Sequence, residues 1–217
     1  KLIREAPSLR GRFVGLVGNQ AALDQNRRFI DEDLNRCFRW ERVADAEGAT
    51  GRQSAEESEM RELLAELGPM ASVFDDVCFI DCHTTSSETV PYISVNAHPP
   101  SLQLSQRFPL HTVIGLEQCI PGCFGEYCNQ LDYRGFTFEA GQHDSLASIE
   151  NQEAAIWLLL VYSGALDSRQ VRRFEHYQQL LASHLIEGRR AFRLAAHYRI
   201  APDEAFAMEP GFVNFSK

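Results

Sequence analysis

Three short stretches of this chain carry side chains that could do chemistry. The first, Asp81-Cys82-His83-Thr84-Thr85-Ser86, follows an apolar run and offers an acid, an imidazole and several hydroxyls in close order. His83 suits the role of metal ligand or general base. The plainer reading is a histidine that caps a strand end and bonds nearby backbone. The second stretch, Glu139-Ala140-Gly141-Gln142-His143, repeats the plan of an apolar strand running into an acid, a glycine and a histidine. A buried Glu139 needs either a partner or a task, and the plainer reading pairs it with an arginine. In the third, Arg28-Phe29-Ile30-Asp31-Glu32-Asp33-Leu34-Asn35-Arg36, charged and apolar residues mix at neither helical nor strand period. Arg28, Asn35 and Arg36 supply donors suited to a carboxylate. The competing reading is a surface loop in which Asp31, Glu32 and Asp33 neutralise the arginines.

Elements must hold these groups in place. Residues 77–80 form a short β-branched and aromatic run that reads as a buried strand ending at the chemical groups, and ligands of open α/β sheets bind just beyond such ends. Further strands are expected over 12–17, 90–96, 112–115, 135–139 and 195–200. Alternation turns Thr137 and Glu139 to one face. The Gly18-Asn19-Gln20 break after the first strand lacks the G-x-G-x-x-G fingerprint. Residues 40–53 read as a loop. Ser54 and Glu57 form a capping box, and Met60, Leu63, Leu64 and Leu67 follow at helical spacing, giving a covering helix with no chemistry of its own. Two more helices are expected, over 148–163 and 168–194. His176 and His184, on the second of these, read as surface residues. The apolar stretch 208–215 reads as the first strand of a further unit.

At 217 residues with 44% hydrophobic and 24% charged side chains, the composition is that of a globular protein with one sizeable core, or one domain plus the start of another. A net charge of −9 with no offsetting basic run argues against a nucleic-acid-binding face. No apolar stretch approaches a membrane span and the first residues lack the apolar core of a signal peptide. The expectation is therefore no nucleic acid, no membrane, and a cytoplasmic location. Six cysteines are sparse for a disulfide scaffold, and Cys119, Cys123 and Cys128 lack the paired C-x-x-C spacing of a zinc knot.

Taken together and in order, Gly18-Asn19 with the block from Arg28 to Arg36, then Asp81 to Ser86, then Glu139 to His143 resemble the succinylglutamate desuccinylase/aspartoacylase family, zinc-dependent deacylases related to the metallocarboxypeptidases. The resemblance spans residues 12–215, and the block ending in Asn35-Arg36 is its most specific part. It implies an α/β fold of three layers, α/β/α, with a mixed, mostly parallel central sheet and the start of a small C-terminal β domain. Residues 1–200 are then the catalytic domain and 201–217 the beginning of the β domain. It further implies Zn2+ as cofactor with His83 as a ligand and Asp81 orienting it. Glu139 becomes the base that takes a proton from water, Arg28 the group that polarises the scissile carbonyl, and Asn35 and Arg36 the clamp on the substrate's α-carboxylate. The substrate is a small N-acylated amino acid, and a homo-oligomer is compatible.

This sequence departs from the family in two ways. The family's other zinc ligands lie in a His-Gly-Asn-Glu type motif upstream of the Gly18-Asn19 turn, whereas the seventeen residues before Gly18 contain no histidine. The expectation is a catalytic domain lacking its N-terminal zinc-ligand segment, and inactive as it stands. Gln20 also replaces the usual proline, and Tyr127, Asn129, Tyr133 and Arg134 do not align with the family's distal substrate contacts. Two rival readings follow: a non-catalytic homologue that binds an anionic metabolite, and a zinc carboxypeptidase acting on peptides.

Overall fold

The computed structural model describes residues 8–46, 54–185, 187–201 and 203–205. Its strands are β1 (Cys78–Thr85), β2 (Tyr92–Val95), β3 (His111–Ile114), β4 (Arg134–Gln142) and β5 (Ala191–Arg193). They form one sheet in the order β1-β4-β2-β3-β5. β4 runs parallel to β1 and antiparallel to β2, while β3 is parallel to both β2 and β5. The sheet is mixed and mostly parallel, as the sequence leads one to expect. Around it lie α1 (Gln20–Asp24), α2 (Trp40–Ala46), α3 (Ala55–Leu67), α4 (Met70–Val73), α5 (Pro99–Ser105), α6 (Phe124–Gln130), α7 (Leu146–Tyr162) and α8 (Phe174–Ala182). None of the described helices is long and apolar enough to cross a membrane.

Period-two alternation decides which face each helix covers. Ile93, Val95, Phe136, Phe138 and Ala140 turn to one side and pack with Leu104, Ala154, Ala155, Leu158 and Leu181 in the main core. Each large apolar side chain so removed from water contributes about 1.5–3 kcal/mol. α7 is apolar nearly all round because it lies between the sheet and α8, where Trp157 stacks on Tyr177 at 6.4 Å. The opposite face carries Phe79, Asp81 and His83 on β1, and Gly135, Thr137 and Glu139 on β4. Its first half is covered by α6, whose Phe124 meets Phe79 edge-on at 6.1 Å. Beneath α6, a smaller core joins Cys37, Phe38, Met60 and Tyr127. Helices therefore flank the sheet on both sides, giving three layers. At Gly135 an added Cβ would fall 2.2 Å from the backbone oxygen of Phe79, so only glycine lets β1 and β4 approach here.

Several sequence-based expectations need correction. Residues 12–17 form no strand in the described structure; Leu16 and Val17 are 39% and 57% exposed. β-propensity needs a neighbouring strand to pair with, and the described residues offer this segment none. Residues 40–46, read as loop, form α2. The helix expected over 168–194 breaks into a 3-10 turn at Ser168–Gln170, then α8, then β5. α8 already ends at Ala182, and Glu187 and Gly188, with left-handed φ values of 54° and 86°, lie between it and β5, which adds to β3. That pairing takes Ala191–Arg193, so the strand expected over 195–200 is absent. The expected strand at 208–215, and with it most of the expected C-terminal β domain, lies outside the described residues.

Candidate active site

β1 does not stop at the chemical groups but runs through them. β4 offers pairing along its whole length, so the strand continues to Thr85, and Asp81 and His83 lie within it. In that parallel register His83 is the partner of Glu139, and Asp81 of Thr137. Side chains at partnered positions share a face, so register alone puts imidazole and carboxylate side by side. From β2, Tyr92 is the partner of Glu139 across the antiparallel ladder. α7 braces this corner from behind: Gln152 Nε2 donates to the carbonyl of His83 at 2.8 Å and Asn151 Nδ2 to that of Ala140 at 2.9 Å.

His83 Nε2 lies 3.0 Å from Asp81 Oδ2. Burial alone would lower its pKa, but the bonded Asp81 carboxylate, with the charge of Glu139, pushes it upward. Glu139 is pushed up to about 7, chiefly by burial and also by the charge of Asp81, against the opposing charges of His83 and Arg28. Its Oε2 is buried with no hydrogen-bond partner among the described residues. A half-buried carboxyl near neutrality, with one oxygen unspent, is equipped to take up and return a proton. His143, the histidine that follows Glu139, is engaged elsewhere, with Nδ1 2.6 Å from Thr84 Oγ1.

The Arg28–Arg36 block is an ordered loop ending in a 3-10 turn at Leu34–Arg36. Arg28 donates through Nε and Nη2 to Asp33 Oδ2, at 3.2 and 2.8 Å, and is close enough to bias both His83 and Glu139. Asp33 Oδ1 accepts the amide of Asn35 at 3.0 Å, capping the turn. Asn35 Oδ1 accepts the amide of Phe124 at 2.8 Å, which fixes its side-chain amide with the oxygen inward. Arg36 turns back on its own loop: Nη1 donates to the Asn35 carbonyl at 2.5 Å, and Nη2 stands 3.9 Å from Asp33. Gly122, at φ +83°, lets the facing segment close on this turn, since a Cβ there would meet the Arg36 oxygen at 2.4 Å. The fold thus brings Arg28, His83 and Glu139 to one corner, with Asn35 and Arg36 on the same loop as Arg28.

Two acids escaped the sequence reading. Glu56, on the helix expected to carry no chemistry, is fully buried and receives the backbone amides of Ile30, Asp31 and Glu32 at 2.6, 3.0 and 3.2 Å. Burial works to raise its pKa, but those amides and Asn19 hold it below the ordinary value. Glu117 is also buried, accepts from Ser94 Oγ at 2.6 Å, and has its pKa raised mainly by burial. Glu56 lies beside the Ser54–Glu57 capping box, and a surplus acid there is the one sequence signal that pointed to it. Nothing in the sequence marks Glu117.

A catalytic zinc takes about three protein ligands. The described residues give this corner one imidazole, already bonded to Asp81, and they contain no group of three His, Cys, Asp or Glu side chains that could hold a metal. Taken alone they do not fit zinc.

The sequence model for the succinylglutamate desuccinylase/aspartoacylase catalytic domain matches residues 3–162. A probable aspartoacylase of Trichodesmium erythraeum (strain IMS101) is 32% identical over 130 residues, covering 58% of this chain and 42% of that protein. One from Acaryochloris marina (strain MBIC 11017) is 36% identical over 98 residues, covering 44% and 31%. The matches thus span less than half the length of these curated relatives. Among solved structures, the succinylglutamate desuccinylase of Chromobacterium violaceum superposes with a TM-score of 0.59 at 18% identity, covering 93% of this chain and 63% of that one. The product-bound ectoine utilization protein EutE (DoeB) of Ruegeria pomeroyi gives 0.57 at 15% identity, covering 83% and 51%. At such identities these likenesses speak to the fold.

Proposed function

This chain belongs to the succinylglutamate desuccinylase/aspartoacylase family, and from that premise we propose that it hydrolyses the amide bond of a small N-acylated amino acid. The observation that carries the reading is the pairing of His83 with Glu139 across β1 and β4, with Arg28 within electrostatic reach of both. In this proposal Glu139 takes a proton from the water that attacks the acyl carbonyl and returns it to the departing amine. Its carboxyl, raised to about 7, suits both transfers at neutral pH. Arg28 stabilises the oxyanion that forms on the carbonyl. Asn35 offers its outward amide donors, and Arg36 its fork, to the α-carboxylate.

The test is release of free amino acid from a panel of N-acetyl and N-succinyl amino acids, against the same compounds with the α-carboxylate converted to an amide. Assayed in a protein that also carries the family's His-Gly-Asn-Glu type segment, cleavage confined to the free acids supports the proposal, and cleavage of none overturns it. The rival, a binding protein for an anionic metabolite, draws on the lack of a three-ligand group among the described residues. It predicts binding of the free acids with no turnover.

Arg36→Lys keeps the charge but loses the fork. We expect KM to rise about tenfold, the scale of one charge-assisted hydrogen bond, with kcat nearly unchanged. An unaltered kcat/KM would return Arg36 to bracing its own loop, through Asn35 and Asp33.

Zn2+ enters the proposal as a cofactor with His83 as one ligand, in a site that the described residues do not complete. We therefore expect this 217-residue chain to hold zinc weakly and to yield it to a mild chelator, with the His83 ring resonances shifting on titration. A tightly held, one-to-one zinc would overturn that expectation.

A further inference from the structure

Glu56 is an unusual anion. It is 0% exposed and no cation pairs with it among the described residues; four N–H donors surround it instead. Oε1 accepts from Ile30 N at 2.6 Å and Asn19 Nδ2 at 3.2 Å, and Oε2 from Asp31 N at 3.0 Å and Glu32 N at 3.2 Å. Three consecutive backbone amides converging on one carboxylate fix the course of the chain between Arg28 and Asp33. The fourth donor extends the hold to Arg28 itself, because Asn19 Nδ2 also donates to the Arg28 carbonyl, at 3.2 Å.

The attachment runs both ways. Asp31 Oδ2 accepts the Ala55 amide at 2.8 Å, satisfying an amide in the first turn of α3. Glu32 accepts from Ser54 Oγ at 2.9 Å and takes both terminal nitrogens of Arg42 at 2.7 Å. The loop caps the helix, and the helix's second residue caps the loop. By contrast, the Arg28 side chain is 64% exposed. An exposed arginine has many rotamers, so its location depends on where its backbone is held and on Asp33.

We propose that Glu56 is the positioning residue of the substrate-recognition loop, holding the backbone from which Arg28, Asn35 and Arg36 present their donors. This rests on the deacylase reading for what the loop recognises, but not for the positioning itself. Only an ionised carboxylate serves all four donors, because both of its oxygens accept. Glutamine at the same position has the same shape, yet its NH2 group would face two N–H donors. Glu56→Gln therefore unfastens one half of the loop without changing packing volume.

The experiment compares wild type, Glu56→Gln and Asn19→Ala by backbone amide NMR and by titration with N-acetylaspartate and its α-amide. In Glu56→Gln we expect the Ile30, Asp31 and Glu32 amides to shift and to lose exchange protection while those of β1 and β4 stay unchanged. N-acetylaspartate should bind about tenfold more weakly, with the α-amide little affected. Unmoved amides, or equal weakening of both ligands with a melting temperature that falls in step, would overturn the positioning role. Should Glu56→Gln not fold, Asn19→Ala removes the one side-chain donor to Glu56 together with its link to the Arg28 carbonyl and leaves the three backbone amides in place, and an unchanged N-acetylaspartate affinity there would overturn it as well. If wild type binds neither ligand, the deacylase reading fails and the amide shifts alone decide the positioning.

Discussion

Replacing Glu139 by glutamine is expected to lower kcat about 10²- to 10⁴-fold, the range of a lost general base, while the chain stays folded. Glutamine keeps the size and most of the polarity of the side chain but cannot take up a proton. The position tolerates it: Oε2 makes no hydrogen bond among the described residues, so no established bond to that oxygen is broken. The neighbouring core positions Phe138 and Ala140 face the other side of the sheet and do not sense the change. KM should move little, since the proton is transferred only on the way to the transition state. The measurement is kcat for amine release together with the thermal midpoint of both proteins. Full activity with glutamine would make Glu139 a strand-end acid that merely answers the charge of His83, and the hydrolytic reading would lose its base.

Arg28→Ala carries the second large effect. If its guanidinium stabilises the developing oxyanion, its loss should cost about 10²- to 10³-fold in kcat, as removal of one such donor does elsewhere. The alternative role is structural, through the ion pair with Asp33 at 2.8 Å. The two roles separate by magnitude. With Arg28 64% and Asp33 22% exposed, solvent screening keeps the pair's contribution to stability within about 1 kcal/mol. A modest fall in the unfolding midpoint with a large loss of kcat supports the catalytic role. A loss of stability with kcat intact makes Arg28 a brace for the Asn35 turn. Arg28→Lys should fall between wild type and alanine, because a point charge replaces a planar fork.

The local grammar of the chain was enough for the elements that signal themselves in a few consecutive residues. The Ser54–Glu57 box and the leucines after it made α3 legible. The run before Asp81, and that before Glu139, marked β1 and β4. The long apolar stretch marked α7 to within two residues at either end. Residue types at characteristic spacings also nominated Arg28, Asn35, Arg36, His83 and Glu139, because carboxylate recognition and proton transfer need few side-chain types.

Tertiary structure decided the rest. His83 stands beside Glu139 because β1 pairs with β4 in one parallel register, and a shift by one residue would turn either group to the opposite face. Neither strand's own residues state that register. Residues 12–17 have strand composition, yet in the described structure they lack a partner to pair with. Residues 183–194 continue a helical pattern, yet α8 stops at Ala182 and an available edge on β3 takes their end as β5. In the sequence Glu56 is simply the acid that precedes Glu57 in a capping box. Its meaning came from backbone amides that lie 24 to 26 positions earlier in the chain. Backbone donors are the same at every residue and leave no mark in a sequence, so only the folded chain could reveal which side chain they choose.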